Sequence, residues 1–208
     1  MLIAYGVDDH SQRRVLGASV SLSEAEVHWR AFFQSLLARG LHGVKTITSD
    51  AHTGLNAAIR TVFPGVEWQR CQFHLQQNAQ KYVPKIAMRA EVAETIKYIF
   101  RSRDRQEADR LLQQALEDWK KTAPSLGVWA EEAIPEGLTV LNWSLHKRKK
   151  LRTSNMAERV NKEIRRRTKV VGIFPNAASC LRLISAILVE EDEGWMAEKA
   201  YLSVLSTD

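Results

Sequence analysis

From about Leu75 to Glu132 the chain carries a helical apolar period and no β-prone run, and the β-prone runs lie ahead of it. Its apolar positions include Ile96, Ile99, Phe100, Leu111, Leu112, Ala115, Leu116 and Trp119. Steps of three and four residues put such positions on one side of a helix. A long helical block therefore separates two stretches that hold the candidate site residues.

Ahead of the block, Leu2 to Val7 and Val15 to Ser21 flank the polar turn Asp8-Asp9-His10-Ser11-Gln12, which predicts a β-hairpin. Ser23 to Glu26 has the spacing of a capping box, opening a helix that buries Val27, Phe32, Phe33, Leu36 and Leu37 and stops at Arg39-Gly40. Val44 to Ser49 predicts a strand ending at Asp50, followed by a helix over Leu55 to Phe63. Val66 to Phe73 predicts a second strand, buried and parallel to the first. Asp50 thus falls at the carboxyl end of a strand, where open α/β sheets place their ligands. The other reading is that it caps the helix that follows.

Charge is uneven along the chain. His146 to Lys169 holds eleven of the thirty Lys and Arg and two acids, a balance of +9, while nineteen cations and twenty-two acids leave −3 elsewhere. All of the net +6 comes from this stretch. Lys147 to Lys150 and Arg165 to Arg167 are either phosphate contacts or solvated faces, and so concentrated a charge favours phosphate. Trp143, beside the run, is the tryptophan best placed to stack on a base.

Thr153-Ser154-Asn155 offers cap residues for a helix whose core stripe is Met156, Val160 and Ile164. Glu158 lies about 200° around that helix from Val160 and is free to face a site, with Asn161, Lys162 and Arg165 on its side. A carboxylate among so many cations reads as a metal ligand in a polyanion site. Asn155-x-x-Glu158 is also the spacing of a capping box.

Cys71-x-x-His74 has metal-pair spacing, but no second Cys or His pair stands at finger-like distance, which disfavours zinc. A core-facing Cys71 and a polar contact for His74 fit the spacing better. With 45% hydrophobic residues the chain buries a proper interior. Two cysteines cannot make a disulfide framework and no secretory leader is visible, so a reducing, cytoplasmic setting is expected. No apolar run approaches the roughly 20 residues that span a bilayer, and no membrane partner is expected.

Together, TSDAHTGLNAAI at Thr48 to Ile59, FPGVEWQRCQFHLQQN at Phe63 to Asn78 and RTSNMAERVNKEIRRRTKVVGIFPN at Arg152 to Asn176 resemble the Mutator-like family of bacterial insertion-sequence transposases. The resemblance covers nearly the whole chain. It implies an α/β, RNase H-like core with an Asp, Asp, Glu triad and a large all-helical insertion before the glutamate. On that pattern residues 1–74 are partial core with the second aspartate, 75–145 the insertion, and 146–208 the C-terminal helices with the glutamate.

By the same resemblance Asp50 is the second aspartate, Glu158 the glutamate, and Cys71 and His74 the family's C-x-x-H, of undefined role. The implied chemistry is DNA strand cleavage and transfer at element ends, with two Mg²⁺ or Mn²⁺ ions held by the carboxylates. DNA would be contacted by Lys147, Arg148, Arg152, Asn155, Asn161, Arg165, Arg166 and Lys169. The protein would act as a homo-oligomer on DNA, in the bacterial cytoplasm and at the nucleoid. The family's first aspartate lies on a central strand preceding the hairpin and is expected upstream of Met1, as is the region that recognises the inverted repeats. Asp8 and Asp9 match a non-catalytic turn. The chain is therefore expected to be N-terminally truncated, poorly soluble or inactive in strand transfer by itself. The alternative is an inactive remnant that only binds nucleic acid.

Overall fold

The structure is a computed structural model, which describes residues 1–21, 23–198 and 201–202. It divides into two compact units. One comprises Met1–Val44, His52–Val66 and Asn155–Asp208, and the other Lys45–Ala51 and Glu67–Ser154.

The first unit opens with β1 (Leu2–Val7) and β2 (Arg13–Ser19), an antiparallel hairpin as expected, though β2 begins earlier and stops before Val20. The register shifts between Ala4 and Tyr5, so Leu16 faces no β1 residue. Such a bulge strands ladder groups. The Leu16 carbonyl accepts from the Arg39 guanidinium at 2.8 Å, and the Val15 N–H donates to Asp192 Oδ1 at 2.7 Å.

Helix α1 (Glu26–Ala38) starts where Ala25 takes the cap position, and no side chain caps it. The capping-box expectation is corrected here: Ser23 Oγ accepts from Ala25 N–H at 3.4 Å, a turn ahead of the helix rather than a cap on it. Trp29, Phe32, Phe33 and Leu36 face inward, whereas Val27 and Leu37 are exposed, contrary to expectation. Phe33 meets Phe63 edge to face at 5.2 Å, joining α1 to α2 (Thr53–Val62). Helices α8 (Asn155–Val171) and α9 (Ala177–Ala197) supply Val160, Ile164, Ile184, Ile187, Leu188 and Trp195 to a core that also receives Tyr5 and Val15 from the hairpin. The predicted Val160–Ile164 stripe is buried, with Met156 packed at its margin.

The second unit is built on β3 (Thr46–Ser49) and β4 (Glu67–Arg70), paired in parallel as expected. Both strands are shorter than predicted. Cys71 already caps α3 (Gln72–Ala79), so Phe73 lies on a helix and is 45% exposed instead of ending a strand. Then follow α4 (Arg89–Phe100), α5 (Arg105–Thr122) and α6 (Pro124–Ala133), the expected helical block, and beyond it α7 (Leu145–Leu151) in the basic run. The block's core gathers Leu75, Ile96, Ile99, Leu112, Leu116, Trp119 and Leu126.

The block is tied back to β4 by polar side chains. Buried Gln69 donates to the Gly137 carbonyl at 2.9 Å and accepts from Val140 N–H at 2.6 Å, and Gln72 donates to the same Gly137 carbonyl at 2.9 Å. Buried amides need such partners, and here each bond also fixes the returning chain. Among the described residues the strands form two separate two-stranded sheets, β1–β2 and β3–β4. The whole is a mixed α/β chain with a large helical block, as the sequence implied.

Candidate functional site

Asp50 follows the last residue of β3 and is exposed. The backbone beneath it is pinned. Ser49 accepts from Cys71 N–H at 2.7 Å through its carbonyl, and its hydroxyl donates to the Asp50 carbonyl at 2.8 Å while accepting from Trp68 Nε1 at 2.9 Å. The cap position of α2 falls on His52, so Asp50 does not occupy it.

Cys71 is fully buried, and its Sγ accepts from Ser154 N–H at 3.4 Å. His74 follows one helical turn later, half-buried, with ligand atoms of the two residues within 4.8 Å. The core-facing cysteine is the reading that spacing favoured. Two further bonds lie beside it: Gln72 N–H donates to the Arg152 carbonyl at 2.9 Å and Thr48 Oγ1 to the Leu151 carbonyl at 2.6 Å. Thr48, Cys71 and Gln72 thus hold the chain at 151–154, just ahead of α8. No local pattern marks Thr48 for this task, because its acceptor lies 103 residues away.

On α7, Lys147 Nζ sits 5.7 Å from the Trp143 ring centre, so the indole face is engaged by a cation within the protein. Arg148 differs from its neighbours. Its guanidinium donates to the carbonyls of Trp143 at 2.6 Å, Leu141 at 2.9 Å, Arg103 at 2.7 Å and Ser102 at 3.3 Å. Four acceptors draw the fork inward, which makes Arg148 a clamp between α7 and the end of α4. Lys149 and Lys150 are exposed, and Arg152 is half-buried at the α7 terminus.

On α8, Asn155 is the first helical residue and is exposed, while Glu158 and Asn161 are half-buried. Asn161 Oδ1 is buried without a hydrogen-bond partner among the described residues. An unsatisfied buried acceptor is costly, by about 1 to 3 kcal/mol, and marks a place for a polar ligand or water. Arg165, Arg166 and Lys169 are exposed along the same helix. Glu163 is bridged by Arg166 and Arg167, each at 2.7 Å, and those hydrogen bonds hold its pKa down at about 2. A depressed carboxylate pKa contributes stability above its ordinary range near 4.5, which is lost as pH falls through about 2. The pairing offsets one of the two acids in the basic stretch and leaves Arg165 and Lys169 for other partners.

Asp50, Cys71, His74, Lys147, Arg148 and Arg152 belong to the unit built on β3 and β4, and Asn155, Glu158, Asn161, Arg165, Arg166 and Lys169 to the unit built on the hairpin. Asp8 accepts from Gln12 N–H at 2.9 Å and closes the hairpin turn. No helix among the described residues is long and apolar enough to cross a membrane.

The family model described as Transposase, Mutator family matches residues 1–198. The chain is 54% identical over 203 residues to the transposase for insertion sequence element IS406 of Burkholderia multivorans, which covers 98% of this chain and 52% of that protein. It is 39% identical over 204 residues to the transposase for insertion sequence element ISRM5 of Rhizobium meliloti, covering 98% and 51%. It is 36% identical over 200 residues to the transposase for insertion sequence element IS256 in transposon Tn4001 of Staphylococcus aureus, covering 93% and 50%. The chain spans about half the length of these curated relatives. Matched across nearly all of its residues and by relatives of one kind, the chain belongs to the Mutator family of transposases.

Proposed function

We propose that the chain is the catalytic portion of an insertion-sequence transposase, with an RNase H-like core interrupted by the helical insertion at 75–145. The observation that carries the reading is Asp50, exposed just beyond the carboxyl end of β3 in a parallel pair, in a chain of this family. Glu158 is the second carboxylate in this reading, on a helix crowded with cations that attract phosphate.

The donors suit the metal. Asp50 and Glu158 offer hard carboxylate oxygens, which match Mg²⁺ or Mn²⁺ and leave positions for water and phosphate oxygens. A bound pair of such ions supplies Lewis acidity for the attacking and leaving oxygens of phosphoryl transfer. Lys147, Arg152, Arg165, Arg166 and Lys169 neutralise the DNA backbone, and Asn155 and Asn161 orient it through hydrogen bonds. Arg148 acts by holding α7 in place. The triad's first aspartate, and the strand bearing it, belong to the part of the relatives that this chain does not span. The working form is a homo-oligomer on DNA at the nucleoid.

Glu158→Gln in the protein extended to the length of its relatives tests the assignment. Strand transfer is expected to fall by about three orders of magnitude or more, with duplex affinity within about twofold of the parent, because the amide keeps the shape and loses the charge. A large loss of binding with a lower melting temperature would make Glu158 a structural cap. An extended parent that binds element ends and never cuts them would favour a binding-only remnant.

A further inference from the structure

In the hairpin-based unit, the turn joining α8 to α9 sets bare apolar side chains beside uncompensated cations. Val170 is 86% exposed and Ile173 is 88% exposed. Gly172, at φ 75°, makes the left-handed turn that presents them, and Pro175 stops any continuation of the helix. From Ile164 to Val189 the chain has five cations and no acid. Arg167 is taken up by Glu163 and Glu190, and Arg166 remains 68% exposed despite its bond to Glu163. Arg165, Lys169 and Arg182 are exposed and enter no ion pair among the described residues.

Helical spacing organises the patch. Lys169 stands one turn above Arg165, and Val170 one turn above Arg166, about 6 Å along the axis in each case. The cations therefore form a collar just below an apolar tip. A second copy of the chain is a poor occupant, since like charges would meet across a two-fold contact. A duplex satisfies both parts, phosphates for the collar and a gap between base steps for the tip.

We propose that the α8–α9 turn is a minor-groove wedge, in which Ile173 and Val170 enter between base steps while Arg165, Arg166, Lys169 and Arg182 hold the flanking phosphates. The inference rests on the reading of the chain as part of a DNA-processing enzyme, and adds a DNA-deforming element to it.

The test uses the purified 208-residue chain and a 30-base-pair duplex carrying a donor and an acceptor dye at its ends, titrated at several salt concentrations. The parent is expected to bring the dyes together on binding. The double variant Val170→Ala, Ile173→Ala should lose that bend and bind about five- to tenfold more weakly with its salt slope unchanged. Ile173→Met, still apolar, should keep the bend. Lys169→Ala should lower the salt slope by about one and keep the bend at saturation. Bending and affinity equal to the parent in the double variant would overturn the wedge alone. So would loss of self-association, or of binding to phosphatidylserine vesicles, with bending intact. A parent chain with no affinity for the duplex would overturn both the wedge and the DNA reading beneath it.

Discussion

Arginine side chains in one short stretch do opposite jobs, and their acceptors decide which. Arg166 meets a carboxylate on its own helix and stays largely exposed, whereas Arg148 spends its donors on four backbone carbonyls. Those carbonyls lie five to forty-six residues from Arg148 in sequence, so composition cannot separate the two roles. Arg148→Ala should cost about 3 kcal/mol in denaturant unfolding, because it strips charge-assisted bonds from several carbonyls at once. Arg148→Lys should recover less than half of that, since an ammonium cannot reproduce the fork. The same alanine variant should leave the salt slope of DNA binding unchanged at temperatures where it stays folded. A slope lower by about one would return Arg148 to the phosphate contacts.

Elements are tuned by contacts that a one-dimensional period does not encode. The Met156, Val160 and Ile164 stripe was legible because three successive turns repeat the same face. Helix α1 was misphased: Trp29 takes the inward position and Val27 faces solvent, a choice made by the aromatic cluster with Phe33 and Phe63. Strand β4 was read too long because Cys71 and Phe73 are β-prone, yet Cys71 ends the ladder and caps α3. For the candidate site, residue type and position nominate Asp50 and Glu158 from the sequence, while the bonds that hold residues 151–154 leave no local mark. The meeting of α1 with α2 depends on Gly54, where a Cβ would lie 2.6 Å from the Glu24 carbonyl oxygen and 2.8 Å from the Glu26 nitrogen. Backbone on the other side cannot step aside as a side chain could. Gly54→Ala should therefore destabilise the chain by about 1 to 3 kcal/mol, despite alanine's better helix propensity. Thermal unfolding decides this, and a melting temperature equal to or above the parent's would show that the two helices part without cost.

At the scale of the whole molecule, one interior joins stretches far apart in sequence and another is built within the single stretch from Leu75 to Leu141. The first gathers Val160, Ile164, Ile184 and Trp195 with hairpin residues, and the second packs α3 to α6 around Leu75, Ile96, Leu116 and Leu126. The chain passes between the units at residues 44–45, 51–52, 66–67 and 154–155, so the candidate carboxylates Asp50 and Glu158 are supported by different cores. Truncating a buried aliphatic removes contacts from one core only, at about 2 to 5 kcal/mol for Ile→Ala. Ile164→Ala, at 1% exposure, should therefore speed hydrogen exchange in β1, β2, α8 and α9. Amides of α4, α5 and α6 should keep their protection, because their opening is governed by a separate set of contacts. Uniform loss of protection in both sets would mean that the two cores open as one cooperative unit. In that case a mutation beneath either carboxylate would disturb both, and the Glu158→Gln comparison would need matched stabilities before its loss of activity could be assigned to chemistry.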